Sequence, residues 1–171
     1  IAVYAQGGVK FASGEDNAGS LPQAYQPGLG TNDLLFGVSL AYDRWHFAAV
    51  YQYSRGRSSN TLTRLRRGDD IMLRTGYATD ISGLNVGMDL LAVKRLALSS
   101  VLDPTVVGED VFFDLPDSDQ FQLNFAAQAS LPLTDAVSVL AQAAVPLLKR
   151  EVNVDGLTRA LTLSAGMRVH F

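Results

Sequence analysis

Apolar and polar residues alternate along most of this chain, and the alternation predicts eight β-strands, at 2–13, 33–43, 46–56, 69–80, 84–98, 120–133, 137–149 and 157–171. Successive side chains of a strand point to opposite faces, so each segment sorts its residues into two sets. One set is strongly apolar: Leu34, Phe36, Val38, Leu40 and Tyr42 in the second segment, Val137, Val139, Ala143, Val145 and Leu147 in the seventh. The other set is small or polar, with Gly37, Ser39, Gln52, Gly76, Asn85, Gln122 and Ser138 among its members. No stretch fits a 3.6-residue period better than alternation, so the expected class is all-β.

Length and connectivity narrow the class. Strands of globular domains average about five to six residues, whereas a tilted strand needs about 9–11 to cross a bilayer. The predicted strands are of the second kind. Short turns near Asp43-Arg44, Asp80–Gly83 and Thr134–Ala136 alternate with long polar connections near 14–32, 57–68 and 103–119 and a shorter one at 150–156. Tight turns on one side and long loops on the other are the pattern of outer-membrane barrels. A soluble barrel or sandwich with its apolar faces inward explains the alternation equally well. Strand length, loop asymmetry and the rim aromatics Tyr42, Trp45, Phe47 and Phe171 favour the membrane barrel, because amphipathic rings suit the headgroup level. The expectation is one domain over 1–171, an antiparallel transmembrane β-barrel with about eight strands in this chain and room to be part of a larger barrel.

Composition removes other classes. A net charge of −3 offers no basic patch, so nucleic acid is not an expected partner. Cysteine is absent and there are two histidines, His46 and His170, so neither a thiolate site nor a histidine cage is available, and no metal or cofactor is expected. The chain starts at Ile1, inside a strand-like pattern, and reads as a truncated product.

The polar faces supply the candidate lumen residues Arg74, Asp89, Asn124, Gln128, Gln142 and Arg168. A four-residue turn over Asp80–Gly83 sets Thr79 against Leu84 and Arg74 against Asp89, where a buried charge needs its partner. That pair is read as a structural ion pair, with a pore selectivity element as the alternative. The same count around Thr134–Ala136 sets Gln128 against Gln142. No catalytic residue is expected, since both histidines lie near short turns and no G-x-S-x-G element occurs. The basic stretch Arg64–Arg67 reads as a solvated loop, or as a contact for lipid phosphates. Asp110, Asp114, Asp117 and Asp119 lack the ordered spacing of a calcium loop.

Two stretches carry a resemblance. The ending LTLSAGMRVHF, with Leu163, Met167, Val169 and Phe171 alternating to the terminus, resembles the C-terminal signature of bacterial outer-membrane proteins. The resemblance implies recognition by the barrel-assembly machinery, a bacterial outer-membrane location, and outer-membrane lipid and lipopolysaccharide as surroundings. QPGLGTNDLLFGVSLAY, Gln26 to Tyr42, resembles the Gly-rich approach and following strand of the transporter-like outer-membrane family linked to meta-pathway phenol degradation, whose barrels are longer than this chain. The expected function is a passive, porin-like transporter for small, weakly charged or hydrophobic solutes. The alternatives are a structural or surface-interaction barrel without an open pore, and an outer-membrane lipid-modifying enzyme.

Overall fold

The computed structural model describes residues 1–152 and 160–169. His170 and Phe171, the latter expected both at the rim and in the assembly signal, lie outside the described residues, as do 153–159. The strands are β1 (Ala2–Lys10), β2 (Asn32–Tyr42), β3 (Trp45–Arg55), β4 (Asp70–Ile81), β5 (Leu84–Arg95), β6 (Ser100–Leu102), β7 (Phe112–Asp114), β8 (Phe121–Pro132), β9 (Val137–Leu148) and β10 (Thr162–Val169). Among the described residues the helical content is two single 3₁₀ turns, at Ala18–Ser20 and Gln23–Tyr25.

Eight of the strands form one antiparallel sheet in the order β1-β2-β3-β4-β5-β8-β9-β10, each predicted strand beside its sequence neighbour. β6 and β7 form a separate hairpin between β5 and β8, with β7 inside the connection at 103–119 that was expected to be a loop. The all-β antiparallel class therefore stands. Among the described residues the large sheet is open: β1 pairs only with β2, and β10 only with β9. β1 and β10 run in opposite directions, since every step along the sheet is antiparallel.

Short and long connections segregate to opposite ends. The turn at 43–44 and the turn at 82–83 have two residues each, and 133–136 closes β8 to β9, all at one end. Ser82 and Gly83 both take positive φ, 54° and 85°, the geometry that matches strand twist in a two-residue hairpin. This corrects the expected four-residue turn. Asp80 and Ile81 join the ladder, Ile81 faces Leu84, Thr79 faces Val86, and Arg74 faces Leu91 rather than Asp89. Around Thr134 the expected register is found, with Gln128 directly opposite Gln142. There the Thr134 hydroxyl accepts the amides of Ala136 and Val137 at 3.2 and 3.1 Å, which holds the four-residue turn. Beyond this register a bulge at Leu147 shifts β9 by one residue next to Pro146, which cannot donate to a regular ladder.

Burial is inverted relative to a soluble domain. Leu65, in the connection before β4, is the one buried apolar side chain among the described residues. Apart from glycines, the other buried residues are polar or charged, including Asp33, Gln52, Asn60, Asp70, Asp89, Arg95, Ser99 and Ser118. The apolar set of each strand is exposed instead, with Phe36, Leu73, Met88, Leu163 and Met167 each at least half open. One face of the sheet is thus a continuous apolar surface, and the polar face holds the cavities.

The long connections pack on one another. Asn60 is fully buried and its amide donates to the carbonyls of Asp16 and Leu21 at 2.9 and 3.0 Å, while Asp16 accepts the amide and hydroxyl of Ser59 at 2.5 Å. Arg66 bridges to Ser100, Arg64 pairs with Asp110, and Arg57 lies 3.6 Å over the Phe112 ring. The basic stretch Arg64–Arg67 is therefore solvated only in part: Arg66 is exposed, Arg64 and Arg67 are half-buried in ion pairs, and Leu65 is buried. Its apolar member, Leu65, anchors it.

Candidate functional site

Polar side chains of β4, β5, β8, β9 and β10 line two cavities on the same face of the sheet, so that face is concave. The cavity toward the long loops measures about 630 Å³ and the one toward the short turns about 720 Å³. Arg74, Asp89, Asn124 and Gln142 line the first, and Gln128, Gln142 and Arg168 the second. All six residues singled out on the polar faces share the concave side. Tyr42, Trp45 and Phe47 sit on the opposite face at the short-turn end. Leu163, Met167 and Val169 are exposed on the opposite face of β10.

The Arg74–Asp89 pair forms although the register differs from the expected one. Asp89 lies opposite Gly76, and Arg74 reaches it diagonally, its Nε and Nη2 donating to Oδ1 and Oδ2 at 2.9 and 2.8 Å. His46, opposite Gly76 on the other side, places Nε2 2.5 Å from Asp89 Oδ1. Two side chains from strands that are not neighbours therefore meet over a glycine. A Cβ on Gly76 would lie 2.2 Å from Asp89 Oδ1 and 2.3 Å from the His46 ring, so only glycine permits the contact. The signal for this site was present in sequence: a glycine on the polar face of β4, one strand from a histidine and one from an aspartate.

A second cluster at the loop end was not anticipated. Asp70, the first residue of β4, faces Arg95, the last of β5. Both are almost fully buried. The Asp70 carboxylate accepts from Arg95 Nε at 3.1 Å and Arg67 Nη2 at 2.5 Å, with Arg150 Nη2 at 3.6 Å. One carboxylate thus holds three guanidinium groups. Lys10 and Gln52 converge on buried Asp33 at 2.9 and 2.7 Å in the same way. Opposite charges at the two ends of one hairpin, Asp70 and Arg95, were the legible part; Arg67 and Arg150 arrive from loops, which no periodicity reports.

On the apolar face Trp45 gathers an aromatic cluster, edge-on to Tyr77 with centroids 5.0 Å apart and stacked on Phe47 at 6.4 Å. Tyr77, missed from the rim set, belongs to the apolar alternation of β4, and its hydroxyl accepts from Arg44 at 3.3 Å. Among the described residues no group of three or more His, Asp or Glu side chains is arranged to hold a metal ion. Asp110 is paired with Arg64 and Asp119 with Lys94. Comparison with known protein families, with curated proteins and with solved structures finds no match to this chain.

Proposed function

We propose that this chain is the barrel-forming part of a bacterial outer-membrane protein that lets small solutes pass without energy input. The observation that carries the reading is the inverted burial: a continuous apolar face is exposed while charged and amide side chains are enclosed. In water such a face is an aggregation liability; against lipid it is the stable arrangement. Strands of 11 or 12 residues through most of the sheet are long enough to span the hydrocarbon layer when tilted. The aromatic cluster around Trp45 at one end suits the headgroup level.

The open sheet bears on the pore. Its edges β1 and β10 are antiparallel, so closure by direct pairing or through an even number of further strands preserves an antiparallel barrel. Eight strands closed directly leave little lumen, and that favours the structural-barrel reading. Additional strands widen the lumen, which agrees with the likeness of Gln26 to Tyr42 to a transporter-like family. The test is solute uptake into proteoliposomes, with a small phenol and a charged control. Uptake above that of empty liposomes for at least one solute is expected. Rates equal to empty liposomes for both would leave the structural barrel, and a soluble monomer with no lipid association would remove the membrane reading itself.

A further inference from the structure

Among the described residues, the loop-end cavity carries more positive charge than its carboxylates balance. Arg67, Arg74 and Lys149 line it, and Arg95 sits behind them on Asp70, against the two carboxylates Asp70 and Asp89. Arg150 also lies against Asp70, at 3.6 Å. Asp89 is committed to Arg74 and His46, so among the described residues Asp70 is the carboxylate left to face Arg67 and Arg95. The Nε of Arg67 is buried with no hydrogen-bond partner, a donor whose desolvation nothing in the chain offsets among the described residues. The chain as a whole is acidic, at −3, so this local excess runs against its average.

The remaining wall is not charged. Met72, Leu91, Val93 and Leu161 supply apolar contact, and Asn124 and Gln142 supply amide groups. A volume of about 630 Å³ falls within the range of small-molecule sites. Inorganic phosphate would satisfy the cations but leave the apolar wall in water. A neutral apolar solute would leave the donors unanswered.

We infer that this cavity binds small organic monocarboxylates with an apolar body, the carboxylate seated against Arg67 and Lys149 and the body against Met72, Leu91, Val93 and Leu161. The inference deepens the transport reading by naming the solute class, and its role in passage rests on that reading. The binding itself does not.

The experiment is isothermal titration of the folded chain in lipid nanodiscs with hexanoate, 1-hexanol, hexylammonium and inorganic phosphate, beside reversal-potential measurements on the same protein in bilayers. Saturable one-to-one hexanoate binding is expected, with the other three probes weaker by roughly tenfold or more. Arg67→Gln and Lys149→Gln should each weaken hexanoate by a similar factor. Lys149→Gln should leave thermal stability unchanged, and Arg67→Gln should lower it by less than Asp70→Asn does, because Asp70 keeps Arg95. Equal binding of hexylammonium, tighter binding of phosphate, or unchanged hexanoate affinity in Arg67→Gln would overturn the site. Hexanoate binding without conductance would sink the pore reading while the site stands. Conductance without anion preference or hexanoate binding would do the reverse.

Discussion

The two ends of the sheet are built differently. At the long-loop end, buried side chains from Asp16, Asn60, Asp70, Arg95, Ser99 and Ser118 hydrogen-bond to one another and to backbone. At the short-turn end, no side chain is buried among the described residues, and the turns are held by their own backbone and by Asp80 and Thr134. One end is a polar core assembled from distant segments; the other is local geometry. The difference teaches where the specificity of this fold resides. A sheet whose apolar face is exposed gains little from burial by itself, so its register depends on turns at one end and on charge networks at the other.

That contrast makes Asp70 and Asp80 a matched pair, two aspartates at opposite ends of β4. Asp70→Asn removes the one carboxylate bonded to buried Arg95, and loss of about 3–5 kcal/mol is expected, because an uncompensated charge stays buried. Asp80→Ala removes an exposed acceptor for the Gly83 amide and should cost under about 1 kcal/mol. Urea unfolding in the same lipid, followed by circular dichroism, gives both values. Equal losses would break the distinction between the ends.

On the membrane reading the middle of the sheet depends on its surroundings instead. Leu73→Arg and Leu163→Arg, both on the exposed apolar face, should each cost about 2–4 kcal/mol at the bilayer midplane. The unfolding assay that serves Asp70 serves here. Values near zero for both would mean that this face does not meet lipid.

Gly76 tests Asp89, the one buried charge between the two ends among the described residues. Gly76→Ala should cost about 1–3 kcal/mol, since its Cβ would displace both Asp89 and His46. Adding His46→Ala should recover part of that loss by emptying the space. A cycle of Arg74→Ala and Asp89→Ala should show coupling of about 1–2 kcal/mol, as expected for contacting residues. Absence of coupling would make the bidentate pair incidental.

How much of this was legible in the sequence follows the same division. The eight strands and the sorting of Arg74, Asp89, Gln128 and Gln142 to one face are local, period-two information, and the alternation carried them. The β8–β9 register was legible because the polar stretch Thr134–Ala136 marks the centre of the turn, which the Thr134 hydroxyl holds. The β4–β5 register was missed by two residues, because hairpin length there depends on Ser82 accepting positive φ, a choice its identity does not announce. Arg74 still reached Asp89 because a long side chain spans a diagonal. The loop-end network was illegible: Asn60 with Asp16, or Ser99 with Ser118, are contacts between segments that share no pattern. Barrel closure and the lipid environment lie beyond what alternation can determine, since alternation is blind to which face is wet.

The smallest expected effect lies in the loops and separates a half-buried aspartate from buried Asp70. Asp103 Oδ1 accepts the hydroxyl and amide of Thr105 at 2.7 and 2.9 Å, closing a short turn before β7. The hydroxyl bond, then the amide bond, hold its carboxyl below the usual 3.8, and burial opposes this only weakly. The sign follows from linkage. A depressed folded-state value means that the turn is fully supported above the unfolded value and loses that support as pH falls through the folded one. The Thr105 amide resonance should therefore shift on acidification with a midpoint below that of a free aspartate. Asp103→Asn keeps an acceptor oxygen but cannot titrate, so the turn should persist and the acid-dependent shift should vanish. Global stability should not change in either case, because the turn is exposed and touches neither the Asp70 cluster nor Gly76. A shift that survives in Asp103→Asn would assign the titration to another group, and a global loss of stability would mean that the loops are coupled to the sheet more tightly than their contacts imply.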